Sequence, residues 1–131
     1  MSVTRATGTS PYEAAYGFSR AVRVQQRILV SGTAPVELDG SSTPGDAAAQ
    51  ARRCFAIILG AIEELGGSAA HVVRTRMFIT NPADADAVGA VHGELFGDIR
   101  PAATMVVVSA LLRPEWRIEI EAEALVGDDP A

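Results

Sequence analysis

Ile118-Glu119-Ile120-Glu121-Ala122-Glu123-Ala124 decides the fold. Apolar and acidic residues alternate here, and the pattern places a strand over residues 116–126. A period of two puts one face in a core and leaves the other charged. Ile118, Ile120, Ala122 and Ala124 share the apolar face. Three carboxylates stacked on the opposite face need cations or a partner surface. Arg74 and Arg76 are the candidates, because Val72 to Ile79 reads as a second strand. In it Val73, Thr75, Met77 and Ile79 share one face, and Arg74, Arg76 and Phe78 the other.

Outward from these strands the rest of the chain takes shape. Arg20 to Val24 alternates, Gln25-Gln26 turns, and Arg27-Ile28-Leu29-Val30-Ser31-Gly32 returns, which is a β-hairpin. Residues 33–45 carry Pro35, Asp39-Gly40-Ser41-Ser42 and Pro44-Gly45, the chemistry of a loop. Asp46 caps an amphipathic helix over residues 46–65. Its apolar stripe is Ala51, Cys54, Phe55, Ile58, Ile62 and Leu65, and Gly66-Gly67 stops it. Asn81-Pro82 opens a second helix with the stripe Val88, Val91, Leu95 and Phe96, ended by Gly97. Ala103 to Leu111 reads as a nearly continuous apolar strand. Residues 1–17, small and polar, and 127–131 are expected to be less ordered. The order β-β-α-β-α-β-β gives an α+β single domain over 1–131, a mixed sheet with both helices on one face. The charged face meets solvent or another subunit.

Composition narrows the chemistry. The chain has 131 residues and 11 cationic side chains, all arginine. Without lysine there is no Schiff base, no phosphate-loop lysine and no Ser–Lys dyad. A net charge of −5 opposes a nucleic-acid surface, which is built from basic clusters. A single cysteine forms no intramolecular disulfide, which suits a reducing compartment. The opening residues do not form a basic-then-apolar leader, and no apolar run reaches about 18 residues. Together these lead to the expectation of a soluble cytoplasmic protein without a membrane contact.

Several segments, in order, resemble the RidA/YjgF family of enamine/imine deaminases, often named endoribonuclease L-PSP. They are Arg27-Ile28-Leu29-Val30-Ser31-Gly32-Thr33-Ala34-Pro35, Ala49-Gln50-Ala51-Arg52, Val72 to Ile79, Arg100-Pro101-Ala102, and Ile118-Glu119-Ile120-Glu121-Ala122. The resemblance implies a chorismate-mutase-like fold and a homotrimer with ligand clefts between subunits. No cofactor and no metal are expected. In the family's active deaminases a glutamate matching Glu119 handles the attacking water. A serine-glycine matching Ser31-Gly32 and a tyrosine matching Phe18 line the cleft. An arginine after the Pro-Ala matching Pro101-Ala102 forks onto the substrate carboxylate. Here that arginine is replaced by Ala103, followed by Thr104, and the tyrosine by Phe18. The chain thus looks like an arginine-lacking branch whose substrate differs from the usual 2-imino acid.

The remaining candidates each have two readings. Glu119 is a water-orienting carboxylate or an interface glutamate. Arg20 and Arg76 either take over anion binding from the missing arginine or serve as strand-edge charges. Ser31 donates through its hydroxyl, or Gly32 through its N–H, to a ligand oxygen, or both merely form a turn. His71 and His92 make no metal motif, and Cys54 reads as a packed thiol. Three functions compete. The first is a trimeric small-molecule-binding protein acting as an imine or enamine hydrolase. The second is a metabolite-sensing or interaction module without chemistry. The third, an endoribonuclease or translation inhibitor, is opposed by the acidic charge.

Overall fold

The computed structural model describes residues 2–127. Nine principal elements follow in order: β1 Val3–Ala6, α1 Pro11–Tyr16, β2 Ala21–Val24, β3 Arg27–Thr33, α2 Ala47–Glu64, β4 Val72–Ile79, α3 Ala85–Phe96, β5 Ala102–Val107 and β6 Ile118–Leu125. The strands form one six-stranded sheet in the order β1-β2-β3-β6-β4-β5. Every pairing is antiparallel except β4 with β5, which α3 joins as a parallel crossover. The sheet is therefore mixed, and α2 and α3 pack together on one face of it.

The core lies between that face and the two helices. Phe55, Ile58 and Ile62 of α2 meet Ile28, Ile118 and Ile120, all fully buried. Each such side chain contributes about 1.5–3 kcal/mol by leaving water. Asp46 caps α2 by accepting from the Ala49 N–H at 2.9 Å, and Gly66 leaves the helix at φ 89°. Gln25 turns the β2–β3 hairpin at φ 55°, a left-handed conformation that a non-glycine residue adopts at a cost of about 1–2 kcal/mol.

Several sequence expectations are corrected. Residues 3–16 are not a less ordered lead: β1 adds to the sheet edge and α1 is a capped helix, with Ser10 accepting from Tyr12 N and Pro11 in its first turn. The expected loose tail at 128–131 lies outside the described residues. The strand expected over 103–111 stops at Val107, because β4 ends at Ile79 and offers no partner after the Val108 N–H to Ile79 carbonyl bond of 2.8 Å. The strand expected from Trp116 begins at Ile118. Val72, not Val73, faces the core, since the β4–β6 register slips between Val72 and Arg74. Asn81 caps a short 3-10 turn, Pro82–Asp84, that precedes α3, and Leu95 is partly exposed rather than in the stripe.

On the charged face the acidic ladder does find cations. Arg76 reaches Glu121 at 3.0 Å and Glu123 at 3.6 Å, and Arg27 reaches Glu123 at 3.0 Å. β5 forms one edge of the sheet, and its Val106 and Val107 are 42% and 52% exposed.

Candidate functional site

The site starts from an irregularity in β3. Val30 pairs with Ala122, but Thr33 pairs with Ile120, so the β3–β6 ladder shifts across Ser31 and Gly32. Such a bulge re-aims side chains and often flanks a site. Here it makes room for Glu119. A Cβ added at Gly32 would stand 2.7 Å from Glu119 Oε2, so the missing side chain is what lets the carboxylate lie against the β3 backbone.

Around that carboxylate opens a cleft of about 370 Å³, within the range of small-molecule sites of ~300–1,000 Å³. Of the eight site residues read from the sequence, it gathers Phe18, Arg20, Ser31, Gly32 and Glu119. Ser31 sits differently from expectation. Its hydroxyl proton is given to the Ser19 carbonyl at 2.7 Å, so toward a ligand it offers lone pairs rather than a proton. Arg76 does not line this cleft in its own chain; Glu121 and Glu123 hold it on the sheet's charged face. Ala103 and Thr104 are exposed on β5, paired with Thr75 and Arg76 of β4, and are also outside it.

Arg20 is the buried cation of the site. Its Nη2 donates to the Gly32 carbonyl at 2.8 Å, its Nη1 lies 4.0 Å from Glu13 Oε2, and its guanidinium lies 5.5 Å from the centre of the Phe18 ring. Among the described residues its Nε has no hydrogen-bond partner, and neither does Glu13 Oε2 beyond the ion pair. Burial lowers the Arg20 pKa, opposed by the charges of Glu13 and Glu119. Glu13 is positioned by α1 and accepts the Gly8 N–H at 2.8 Å. Burial pushes the Glu119 carboxyl above the ordinary carboxylate range; Arg20 pulls it back, and Glu121 pushes with burial. A carboxyl tuned this way exchanges protons nearer neutral pH than a free glutamate does.

The other wall was not found from the sequence. Tyr12 and Tyr16 of α1 stack at 5.2 Å between ring centres, and Trp116 meets Tyr12 edge-on at 6.3 Å. All three line the cleft. Trp116 is fixed by an Nε1–H donated to Ser42 at 3.0 Å. Gln50, buried on α2, holds the loop around it by donating to the Glu115 carbonyl and accepting from Arg117 N–H. The signal for α1 was present as Ser10-Pro11, a cap residue followed by proline.

The histidines serve structure. His92 shares a 2.8 Å hydrogen bond with Thr75 and packs on Phe55 and Phe96, and burial lowers its pKa. His71 accepts the Ser68 N–H at 3.0 Å. Cys54 is fully buried, and burial pushes its thiol pKa up, which makes it a packed group and not a nucleophile. Among the described residues no three His, Cys, Asp or Glu side chains gather into a metal-ligand set, and no helix is long and apolar enough to cross a membrane.

Comparison with known proteins agrees with this architecture. A Streptomyces coelicolor protein is 36% identical over 126 residues, which is 96% of this chain and 94% of its own. The 3-aminoacrylate deaminase RutC of Acinetobacter baylyi is 34% identical, with 91% of this chain and 93% of RutC covered. A crystal structure from Mycobacterium tuberculosis, of a member of the YjgF/YER057c/UK114 family, matches with a TM-score of 0.86 at 42% identity, covering 95% of this chain and 100% of that one. The family model described as endoribonuclease L-PSP matches residues 7–126, from the approach to α1 through the end of β6. With five of the six strands, both long helices and the Glu119 cleft inside that span, the chain belongs to the endoribonuclease L-PSP family, the YjgF/RidA group.

Proposed function

We propose that this chain is a hydrolase of imines or enamines, working as a homotrimer on a substrate without the usual 2-imino-acid carboxylate. The half-buried Glu119 carboxyl, set against Gly32 with the Arg20 charge beside it, carries the reading. A carboxylate there takes a proton from water as the water oxygen bonds to the imine carbon. The C=N π electrons pass to nitrogen, which takes up a proton. Glu119 takes the hydroxyl proton of the carbinolamine and delivers it to nitrogen, the C–N pair stays with nitrogen as the C=O bond forms, and ammonia leaves with the carbonyl product. The sum is R–CH=NH + H2O giving R–CHO + NH3. The reaction class is supported by the likeness to RutC, whose name makes it a 3-aminoacrylate deaminase.

The unusual substrate follows from Ala103. A carboxylate buried without its bidentate partner loses about 2–5 kcal/mol of binding. Ala103 and Thr104 point this way only in a trimer, where exposed β5 of one subunit serves the cleft of its neighbour. The apolar, partly exposed Val106 and Val107 on that strand support such an interface. A buried lone cysteine suits a cytoplasmic setting, and the net charge of −5 disfavours nucleic acid as a partner.

Two measurements test the reading. The native mass should be three times 13.7 kDa; a monomer sinks the trimer. Imines released in situ by an amine oxidase, with semicarbazide trapping what survives, should be hydrolysed faster with the protein present, and imines from amino acids barely at all. Robust turnover of the amino-acid imines would show that Ala103 does not set the substrate. Ala103 also favours a second reading, a sensing module without chemistry, which predicts thermal stabilisation by a metabolite with no product formed.

A further inference from the structure

Of the chain's seven aromatic Phe, Trp and Tyr side chains, four line the Glu119 cleft. They are Tyr12, Tyr16, Phe18 and Trp116. Their rings are arranged, not merely gathered. Tyr12 and Tyr16 stack with 29° between planes, and Trp116 stands at 81° to Tyr12. The Arg113 guanidinium lies 5.9 Å from the Tyr12 ring centre and 5.1 Å from that of Trp116, and is itself anchored on the Gly40 carbonyl at 3.1 Å. A wall braced this way resists collapse when empty. It offers ring faces whose attraction is for flat apolar groups. The charges in the cleft do not ask for an ion. Arg20 is already bound to the Gly32 carbonyl and faces Glu13.

We infer that this aromatic wall is the specificity element of the cleft, and that it takes an uncharged ligand carrying a planar aromatic group, whose imine carbon then lies toward Glu119. The inference rests on the hydrolase reading only for the last clause; recognition of the ring stands apart from turnover.

The test uses the intact chain and benzamide, with acetamide as the ringless control. Trp116 is the only tryptophan, so its indole N–H resonance in an NMR titration reports on this wall alone. Benzamide should shift it saturably, and acetamide should not at the same concentration. Tyr16→Ala removes a ring that is 66% exposed, so the fold survives; benzamide should then bind about tenfold more weakly, the worth of one ring contact. No saturable response to benzamide, an equal response to acetamide, or unchanged affinity in both Tyr16→Ala and Tyr12→Leu overturns the inference. Imines released from benzylamine and from butylamine separate the two ideas. Preferential hydrolysis of the benzylamine imine, at least tenfold in kcat/KM, supports both. Equal hydrolysis of the two overturns the aromatic wall and leaves the hydrolase. Benzamide binding without any turnover overturns the hydrolase and still supports the wall.

Discussion

Gly32→Ala separates the stability of this fold from the geometry of its cleft. Gly32 does not need a left-handed backbone, so alanine fits its main chain. The difficulty is the new methyl group, which would stand 2.7 Å from Glu119 Oε2 where ordinary contact begins at 3.4 Å, so the carboxylate must move by about 0.7 Å. It is the end of a flexible side chain, and an off-rotamer shift costs only about 0.5–1.5 kcal/mol. Tm should fall by no more than about 5 °C. Catalysis is less forgiving, since a displacement of ~1 Å in a reacting group costs about 10²-fold. We expect a 30- to 100-fold fall in kcat/KM for the benzylamine imine, roughly 2–3 kcal/mol of barrier. A second readout needs no substrate: the displaced carboxyl is better hydrated, so its NMR titration should move down toward the ordinary glutamate range. Gly60→Ala is the control, because nothing lies within 4 Å of the new methyl and α2 gains about 0.5–1 kcal/mol. If Gly32→Ala titrates and turns over as wild type does, the contact with Glu119 is not what holds the carboxylate.

Three further outcomes follow from the charges. On the acid side kcat/KM should rise as Glu119 loses its proton. Arg20→Gln removes a cation that favours the carboxylate and should shift that limb to higher pH; Glu121→Gln removes a like charge and should shift it to lower pH. Shifts in one common direction would refute the assignment to Glu119. Because the folded Glu119 pKa is raised, its favourable contribution is complete below the unfolded value of 4.5 and is lost as pH climbs through the folded value. Glu119→Gln should therefore gain stability over wild type as pH rises from about 4 to about 8, seen as a widening Tm difference; a constant difference would contradict it. Cys54, buried and with its thiol pushed up, should resist iodoacetamide in the native protein and react fully once unfolded. Native-state labelling at the unfolded rate would mean that α2 opens.

What the sequence revealed depended on periodicity. β4, β6 and α2 are long runs at period two or 3.6, and all three fall within two residues of their expected bounds. The end of β5 is not legible in the sequence, because a continuous apolar run has no period to mark it; it is set by β4 running out at Ile79. The exchange of Val72 for Val73 comes from a bulge that no local pattern announces. In the site, Glu119, Ser31 and Gly32 were legible through family segments, not through spacing. Within one chain Arg76 stands with Glu121 and Glu123, as its strand-edge reading has it, and off the lining of the Glu119 cleft, because alternation gives a face but not a position along it. Tyr12 and Tyr16 lie in seventeen residues whose small, polar composition reads as less ordered, although Ser10-Pro11 marks a helix start.

The Arg20–Glu13 pair gives the cleft its preference for neutral ligands, and this can be reversed. Glu13 is 6% exposed and held by the Gly8 N–H, and its second oxygen faces Arg20 at 4.0 Å without a hydrogen bond. The guanidinium is thus neutralised by charge more than by geometry. An anion entering the cleft meets Arg20 and Glu13 together and gains little. Glu13→Gln keeps the shape and the oxygen that accepts from Gly8, but removes the charge. Arg20 then loses the closer of its two carboxylate neighbours and keeps only Glu119, with its Nε unpartnered among the described residues. Benzoate and benzamide differ in little beyond charge, so the ratio of their affinities isolates this effect. In wild type benzamide should bind better. In Glu13→Gln the ratio should move toward benzoate by about tenfold, which is modest for a unit charge a few Å from a buried partner. An unchanged ratio would mean that Arg20 does not face the ligand, and that the bond to the Gly32 carbonyl, rather than the balance with Glu13, fixes its role.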